Sequence, residues 1–278
     1  MNNSFFKAQQ WAFSFIEGSN ADCSGVELLL KEQMGWNDTE LLMHLRDEMP
    51  QEELEKFQRN VEKYVNGYPA QYIIGKADFY GSKFKVNENT LIPRMETEEL
   101  VDWILNENKV NDSLRVVDIG TGTGAIGLSL KKAVPEWKIT LSDISTEALK
   151  VAAENAQTLD EEVYLTQSDL FENLNGKFDI IVSNPPYIAE DEKGLMDQSV
   201  LEHEPSLALF ADNQGLKIYQ RLAKECAPYL ADDALMYLEI GFKQGKAVKE
   251  IFQKEFPDAK ITVKKDISNH DRMVKIQF

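Results

Sequence analysis

The sequence predicts an α/β protein, in which a doubly wound, Rossmann-like sheet is preceded by a small N-terminal helical bundle. Three observations support this prediction. Strand-like apolar runs alternate with helical segments from residue 115 onwards, as in sheets covered by helices on both faces. A glycine-rich turn, Gly120 to Gly124, follows the first of these runs. Residues 1–66 instead place apolar side chains at helical spacing.

The composition narrows the class of protein and its surroundings. Of the 278 residues, 43% are hydrophobic and 28% are charged, which is typical of globular proteins. No apolar run is long enough for a membrane helix, and the first ten residues show no signal-peptide pattern. The two cysteines and three histidines lack the spacing of metal ligands. We therefore expect a cytoplasmic protein without a metal site or a membrane partner.

The net charge is −17, from 30 basic and 47 acidic residues. Proteins that bind DNA or RNA gain much of their affinity from lysine and arginine contacts to phosphates. A chain this acidic is a poor candidate for direct nucleic-acid binding, although solubility alone explains the charge equally well.

Two predicted regions precede the sheet. Residues 1–66 form the predicted bundle, in which Leu54, Phe57, Val61 and Tyr64 repeat at spacings of three and four. A bundle of this kind would recognise a partner or brace the next domain. In residues 67–92, glycines and a proline interrupt short aromatic runs, which predicts a linker and a β-hairpin.

Residues 93–278 form the predicted sheet domain, which opens with a helix that begins near Thr97. Apolar runs predict strands at 115–119, 138–142, 162–166, 180–183, 235–240, 261–264 and 273–278. Helices are predicted between them at 125–132, 146–159, 216–230 and 245–255.

The glycine-rich turn reads Gly120-Thr121-Gly122-Thr123-Gly124 and leads from a strand into a helix. Glycines let a ligand approach the backbone closely, and the helix N-terminus supplies N–H groups. Asp143, after the next strand, lies where such sheets carry a ribose-binding acid. Because the turn and Gly127 also fit the dinucleotide fingerprint, these residues indicate a nucleotide or nucleoside cofactor without choosing between the two.

The third strand is followed by Ser168, Asp169 and Leu170. The Asp169 carboxylate could accept a hydrogen bond from an adenine amino group, and Leu170 could cover the ring. An N-cap role for Ser168 or Asp169 is the alternative interpretation.

The fourth strand is followed by Asn184-Pro185-Pro186-Tyr187. Residues before proline are held extended, and the prolines lack N–H groups. The Asn184 oxygen and the Pro185 carbonyl therefore form an acceptor pair beside the Tyr187 ring, which suits a planar NH2 group. Since ligands of open α/β sheets bind at the carboxyl ends of strands, we predict that this site adjoins the cofactor.

With these motifs in place, the chain resembles the amino-group branch of S-adenosylmethionine-dependent methyltransferases. Within that branch it is similar to the peptide chain release factor N5-glutamine methyltransferases. The matching stretches are residues 69–75, 79–81, 92–98, 204–205 with 208–209, 238–241 and 271–272, of which 69–75 and 92–98 are the more discriminating. Leu170 departs from the family pattern, because relatives can carry an aromatic residue there.

The resemblance implies a seven-stranded methyltransferase sheet and methyl transfer to the side-chain amide nitrogen of a release-factor glutamine, in a Gly-Gly-Gln motif. The implied cofactor contacts are Gly120, Thr121, Gly122, Thr123, Gly124, Asp143, Asp169, Leu170 and Asn184. The implied glutamine contacts are Asn184, Pro185, Pro186 and Tyr187, of which Asn184, Pro185 and Tyr187 are expected to act in catalysis. We expect a monomer with a release factor as its protein partner.

Other interpretations remain at this point. A glutamine of a ribosomal protein would need the same chemistry. An exocyclic amine of DNA or RNA would use the same tetrad, but the net charge of −17 disfavours it. A nicotinamide-dependent oxidoreductase would leave the tetrad unexplained. A non-catalytic binding module would not explain why the sequence carries both a cofactor turn and an acceptor pair for an NH2 group.

Overall fold

The computed structural model describes residues 3–108 and 113–278, and the chain divides into two compact units. One unit comprises the residues up to 76 together with 197–203, and the other comprises 77–196 and 204–278. Within the two described ranges, no helix is both long enough and apolar enough to cross a membrane.

The first unit is helical, as its apolar spacing predicts. Its first five helices are α1 (Phe5–Ile16), α2 (Cys23–Met34), α3 (Asp38–His44), α4 (Gln51–Val65) and α5 (Ala70–Ile74). Their buried faces meet in one apolar cluster around Val26, Leu30 and Phe57, each fully buried. Local signals fix the helix ends: Asn37 and Glu40 form a capping box at the start of α3, which satisfies N–H groups that the helix leaves unpaired.

Residues 67–92, predicted as a linker and a hairpin, contain helix α5 in place of an irregular linker, followed by β1 (Lys76–Phe79) and β2 (Ser82–Lys85), which form a two-stranded sheet. The elements that follow are α6 (Met95–Glu107), β3 (Arg115–Ile119), α7 (Ala125–Ala133), β4 (Lys138–Asp143), α8 (Thr146–Leu159), β5 (Tyr164–Gln167), β6 (Phe178–Ser183), α9 (Gln198–His203), α10 (Ser206–Leu209), α11 (Asp212–Gly215), α12 (Lys217–Glu225), β7 (Leu230–Glu239), α13 (Gly245–Glu255), β8 (Lys260–Lys265) and β9 (Asp271–Gln277). Residues Glu190–Leu195 and Ala227–Tyr229 form short 3-10 helices.

The main sheet has seven strands in the order β5-β4-β3-β6-β7-β9-β8. The pairs from β5 to β7 are parallel, and β9 is antiparallel to both of its neighbours. This arrangement confirms the predicted Rossmann-like sheet closed by a terminal antiparallel pair. The chain runs outwards from β3 to β5 and then returns to start β6 beside β3, so the switch point lies between β3 and β6.

Helices cover both faces of the sheet, because successive strand residues point to opposite sides. Val116 and Ile180 pack in one core cluster together with residues of α6, α7 and α8. Val117 and Ile181, their neighbours in sequence, pack in a second cluster together with residues of α12 and α13. The central strands β3 and β6 are therefore buried on both faces, which explains why they read as continuous apolar runs. The edge strand β5 is largely exposed.

The structure shortens one predicted helix. The sequence predicts a helix over 216–230, but α12 ends at Glu225 and a 3-10 turn containing Pro228 follows. Proline has no N–H to continue the α-helical hydrogen bonds. Strand β7 then begins at Leu230, five residues before the predicted start at 235.

Candidate functional site

A cavity of about 480 Å³ lies where the carboxyl ends of β3, β4, β5 and β6 meet. The sequence-predicted residues that line it are Gly120, Thr121, Gly122, Thr123, Asp143, Asp169, Leu170, Asn184, Pro185 and Pro186. Gly124 and Tyr187 are not among the lining residues. The pairing of β6 with β3 brings the glycine turn and the tetrad to one cavity, as the sequence predicts.

The glycine turn presents its backbone to this cavity. Gly120 and Gly122 have positive φ values of 70° and 56°, and a Cβ added at either would meet no described atom within 4 Å. The N–H groups of Gly120 and Thr121 donate to the Ser142 carbonyl at 2.8 and 3.0 Å. The turn is therefore anchored to β4 on one side and open to a ligand on the other.

Gly124 serves packing, since it is the N-cap of α7 at φ 82°. A Cβ added there would lie 2.9 Å from Leu128 Cδ1 and 3.4 Å from Ala152 Cβ. A side chain at this position would crowd Leu128 and Leu141 and would also be strained by the positive φ.

Asp143, at the end of β4, holds the glycine turn as well as lining the cavity. Its Oδ2 accepts from the Gly122 N–H at 2.9 Å, and its Oδ1 accepts from the Ser145 N–H at 2.9 Å. Burial raises the pKa of this carboxyl, and the backbone donors oppose that rise. Each carboxylate oxygen can accept further hydrogen bonds, so the group can still accept from a ligand in the cavity.

Asp118, at position four of β3, is a site residue that sequence reasoning missed. Its Oδ2 accepts from the Thr121 hydroxyl at 2.6 Å and from the Gly127 N–H at 3.1 Å. In the described part of the chain, its buried Oδ1 has no hydrogen-bond partner. Desolvation raises the pKa of Asp118 to about 6. The available signal was a carboxylate inside an apolar strand, immediately before the glycine turn.

Asp169 is held by an arginine that the sequence did not single out. Arg221, on α12, donates to Asp169 Oδ1 at 2.7 Å and also pairs with Glu225. The neighbouring Leu170 is buried and has a left-handed backbone, with φ at 49°. Asp143 and Asp169 thus both line the cavity, whereas Asp118 contacts the glycine turn and the start of α7 without lining it.

The tetrad is tied to two residues from distant parts of the chain. The Asn184 side-chain nitrogen donates to the Thr97 hydroxyl at 3.2 Å, and Thr97 donates to Glu239 Oε2 at 2.6 Å. The Tyr187 hydroxyl donates to the other oxygen of Glu239, at 3.4 Å. Burial raises the pKa of Glu239 to about 7, although Thr97, Arg272 and Tyr187 favour the charged form.

The backbone of Tyr187 is clamped from two sides. Its carbonyl accepts from the Gln244 side chain at 2.9 Å. Gly215, at φ 77°, approaches so closely that an added Cβ would lie 2.0 Å from this carbonyl oxygen. Burial raises the pKa of the Tyr187 hydroxyl far above its usual range, so the group remains a neutral donor.

Some of the residue stretches that suggested the family by sequence contribute to this cavity, through Phe79, Pro93, Arg94, Thr97 and Pro205. Arg94 and the buried Glu204 form an ion pair at 2.5 Å, and Glu204 also accepts from the Ile92 N–H. Arg272 donates to the Ile240 carbonyl, next to Glu239, and pairs with Asp266 at 3.1 Å. Among the residues that the structure describes, no cluster of His, Cys, Asp or Glu side chains could hold a metal ion.

Comparison with known proteins identifies close relatives. A release factor glutamine methyltransferase of Enterococcus faecalis is 44% identical over 274 residues, which cover 98% of this chain and 99% of the relative. One from Bacillus subtilis is 41% identical over 276 residues, which cover 97% of this chain and 96% of that protein.

Family models match both parts of the chain. Residues 7–75 match the PrmC N-terminal domain, and residues 97–206 match the methyltransferase small domain. Neither match alone spans half of the chain.

Solved structures show the same fold at low sequence identity. A methyltransferase from Pyrococcus furiosus has a TM-score of 0.53 at 17% identity, covering 70% of this chain and 87% of its own. A 16S rRNA methyltransferase from Thermus thermophilus, in complex with AdoMet and guanosine, has a TM-score of 0.51 at 14% identity. That match covers 73% of this chain and 49% of the other.

Replacing Asp143 tests the cofactor side of the cavity. We expect Asp143→Ala to weaken binding of S-adenosylmethionine by roughly 1.5–3 kcal/mol, the scale of a hydrogen bond to a charged group. The change removes a carboxylate that lines the cavity and leaves the Gly122 N–H without this acceptor. Isothermal titration calorimetry measures the affinity. The matched control is Glu162→Ala, which removes an exposed carboxylate two residues before β5. Unchanged affinity in Asp143→Ala would exclude this residue from the cofactor site.

Proposed function

The chain belongs to the release factor glutamine methyltransferases, and we propose that its substrate atom is the side-chain amide nitrogen of the glutamine in a Gly-Gly-Gln motif. The methyl donor is S-adenosylmethionine. The observation that carries the proposal is the adjacency of β3 and β6, because it places the glycine turn and Asn184 on one cavity. A nucleoside site and an acceptor for a planar NH2 group therefore adjoin.

Alignment is the main task that this reaction sets for the protein. S-adenosylmethionine supplies a methyl group that its positively charged sulfur already activates. An amide nitrogen is a weak nucleophile, because its lone pair is delocalised into the carbonyl. Holding two reacting groups in the correct geometry can lower a barrier by up to roughly 7–11 kcal/mol. We propose that the tetrad supplies this alignment.

Asn184 and Pro185 are proposed to hold the two amide hydrogens. The Asn184 nitrogen is engaged with Thr97, so its side-chain oxygen is the atom that can accept from the substrate. The Pro185 carbonyl accepts the second hydrogen, and neither proline offers an N–H that would compete. A substrate that lacks the NH2 group leaves these acceptors unpaired at a cost of about 1–3 kcal/mol, which gives selectivity.

Tyr187 is proposed to pack its ring against the glutamine amide. Its hydroxyl contact with Glu239 and the Gln244 contact to its carbonyl hold the residue in place. The nitrogen has to lose a proton only after it has gained the methyl group. The proposal therefore assigns no general base.

The cofactor contacts follow the same logic. We propose that Asp143 accepts from the ribose hydroxyls, while Gly120 and Gly122 give room for the ligand beside the backbone. Asp169, whose Oδ1 is held by Arg221, accepts from the adenine amino group, and the buried Leu170 covers the ring.

The N-terminal helical unit is proposed to recognise the folded release factor. A single glutamine side chain gives little affinity once a flexible Gly-Gly segment has been ordered, so further contacts are needed. The unit exposes large apolar side chains at Phe6, Leu42 and Met43, which are 49%, 70% and 72% exposed. These residues are candidates for the contact.

We further propose that the enzyme acts as a monomer in the cytoplasm, without binding nucleic acid directly. Cys23 and Cys226 are free thiols, which fits a reducing compartment. The net charge of −17 disfavours direct binding to the phosphate backbone of DNA or RNA.

Mapping the labelled residue tests the function itself. The enzyme is incubated with S-adenosylmethionine that carries a labelled methyl group and with folded release factors or ribosomal proteins. We expect tandem mass spectrometry to place the label on the glutamine of Gly-Gly-Gln. A label on a ribosomal-protein glutamine would refute release factors as the substrate, and a label on a residue other than glutamine would refute the reaction class.

Asn184→Ala tests the amide clamp. We expect turnover to fall roughly 10²–10³-fold, the scale of removing one preorganised hydrogen-bond partner in an active site. Cofactor affinity, measured by calorimetry, should fall far less, because the glycine turn and Asp143 are unchanged. Near-normal turnover on the folded factor would refute the clamp.

A double substitution tests substrate recognition by the helical unit. Leu42→Ser combined with Met43→Ser should raise the KM for the folded factor, because both side chains are exposed and apolar. The weak activity on a short Gly-Gly-Gln peptide, which lacks the rest of the factor, should stay the same. An equal loss on both substrates would mean that these residues stabilise the enzyme rather than bind the factor.

A further inference from the structure

Three side chains from separate elements form a hydrogen-bonded chain behind the tetrad. Glu239 ends β7, Thr97 lies in the first turn of α6, and Asn184 follows β6. Thr97 donates to Glu239 Oε2 at 2.6 Å and accepts from the Asn184 nitrogen at 3.2 Å. Glu239 and Thr97 are only 2% and 5% exposed, so little of either side chain is open to solvent.

The single hydroxyl hydrogen of Thr97 decides the orientation of Asn184. A hydroxyl has one hydrogen to donate and two lone pairs. While the hydrogen is committed to the Glu239 carboxylate, Thr97 can only accept from Asn184. The Asn184 NH2 group must then face Thr97, and the amide oxygen faces the other way. A flipped amide would place its oxygen against a Thr97 lone pair.

We propose that Glu239 is a positioning residue for methyl transfer, which acts through the Thr97 hydroxyl to keep the Asn184 oxygen turned towards the substrate amide. The inference rests on the proposed function, since it assigns a purpose to the clamp. Glu239 itself touches neither the substrate nor the cofactor in this scheme. The charge of Glu239 decides which group donates in each hydrogen bond from Glu239 through Thr97 to Asn184.

The surroundings of Glu239 make its charge sensitive to pH. Tyr187 donates to its Oε1, and Tyr219 of α12 donates to its backbone carbonyl at 2.8 Å. Arg272 of β9 favours the charged form, whereas Glu96 of α6 disfavours it. Burial outweighs the favourable partners and raises the pKa of Glu239 to about 7.

Protonation of Glu239 would reverse the hydrogen-bonded chain. A protonated carboxyl can donate to Thr97, which frees the threonine hydrogen to point at Asn184. The amide of Asn184 would then turn its oxygen towards Thr97 and its NH2 group towards the substrate. Two NH2 groups cannot pair with each other as donor and acceptor, so turnover should fall as the pH drops through about 7.

A purely structural role for Glu239 makes a different prediction. Linking β7 to α6 and to Tyr187 would stabilise the fold, and losing the link would lower the melting temperature. It would leave the pH dependence of kcat in the folded enzyme unchanged. The shape of the pH profile therefore separates positioning from bracing.

The experiment compares Thr97→Val, Thr97→Ser and Glu239→Gln with the unsubstituted enzyme on a folded release factor. Thr97→Val keeps the shape and removes the hydroxyl, whereas Thr97→Ser keeps the hydroxyl. The kcat is measured across neutral pH at saturating S-adenosylmethionine. Saturation matters because burial also raises the pKa values of Asp118 and Asp143, beside the glycine turn.

We expect the natural enzyme to lose kcat in a one-proton step as the pH falls through about 7. Thr97→Val should lower kcat at pH 8 by roughly 10- to 100-fold, the equivalent of a hydrogen bond to a charged group. The KM values should change little, and the acid limb should disappear. In Glu239→Gln, the Thr97 and Tyr187 hydroxyls would share a single acceptor oxygen. Its kcat should therefore be lower and should not change with pH around 7. Thr97→Ser should lose far less and should keep the acid limb.

Two results would overturn the inference while the function stands. The first is a Thr97→Val enzyme with the kcat and acid limb of the natural protein. The second is a Thr97→Val enzyme whose melting temperature is lowered but whose kcat depends on pH as in the natural protein. If Glu239→Gln fails to fold, the Thr97→Val and Thr97→Ser pair decides by itself. Failure of the natural enzyme to label any glutamine would instead refute the proposed function.

Discussion

The parallel pairing of β6 beside β3 is the constraint on which the site depends. It aligns Val116 with Ile180 and Asp118 with Val182, so both strands end at the same edge of the sheet. After β3 the chain continues to β4 on one side, and after β6 it continues to β7 on the other side. A slip of one residue would send every side chain of β6 to the opposite face. The tetrad and the glycine turn would then no longer share a cavity.

Buried carboxylates organise the ends of these strands. Asp118, Asp143 and Glu239 are each almost fully buried, and each accepts hydrogen bonds from N–H or O–H donors. Burying such groups is costly unless donors compensate for the lost water. The hydrogen bonds that compensate for the lost water also hold the segments that supply the donors. The same contacts that make the acids tolerable therefore hold the glycine turn, α6 and Tyr187 in position.

Local patterns in the sequence predicted the strands, the glycine turn, Asp143 and the tetrad, because each depends on residues that are close along the chain. The roles of Thr97, Glu239 and Arg221 could not be predicted in that way. Thr97 lies 87 residues from Asn184 and 142 from Glu239. Glu239 looks like the polar end of an apolar strand until the fold brings it to α6. The family resemblance marked the stretches around Thr97 and Glu239 without indicating that they touch.

The single cavity shared by the glycine turn and Asn184 has a consequence for inhibitor chemistry. Because both sets of residues line one continuous space of about 480 Å³, an adenosine group and a glutamine-like amide can be joined in one molecule. Once the adenosine part is bound, the amide part meets its acceptors at a high effective concentration. A molecule of this kind would bind more tightly than either half. Its selectivity over other adenosine-binding proteins would come from the amide end.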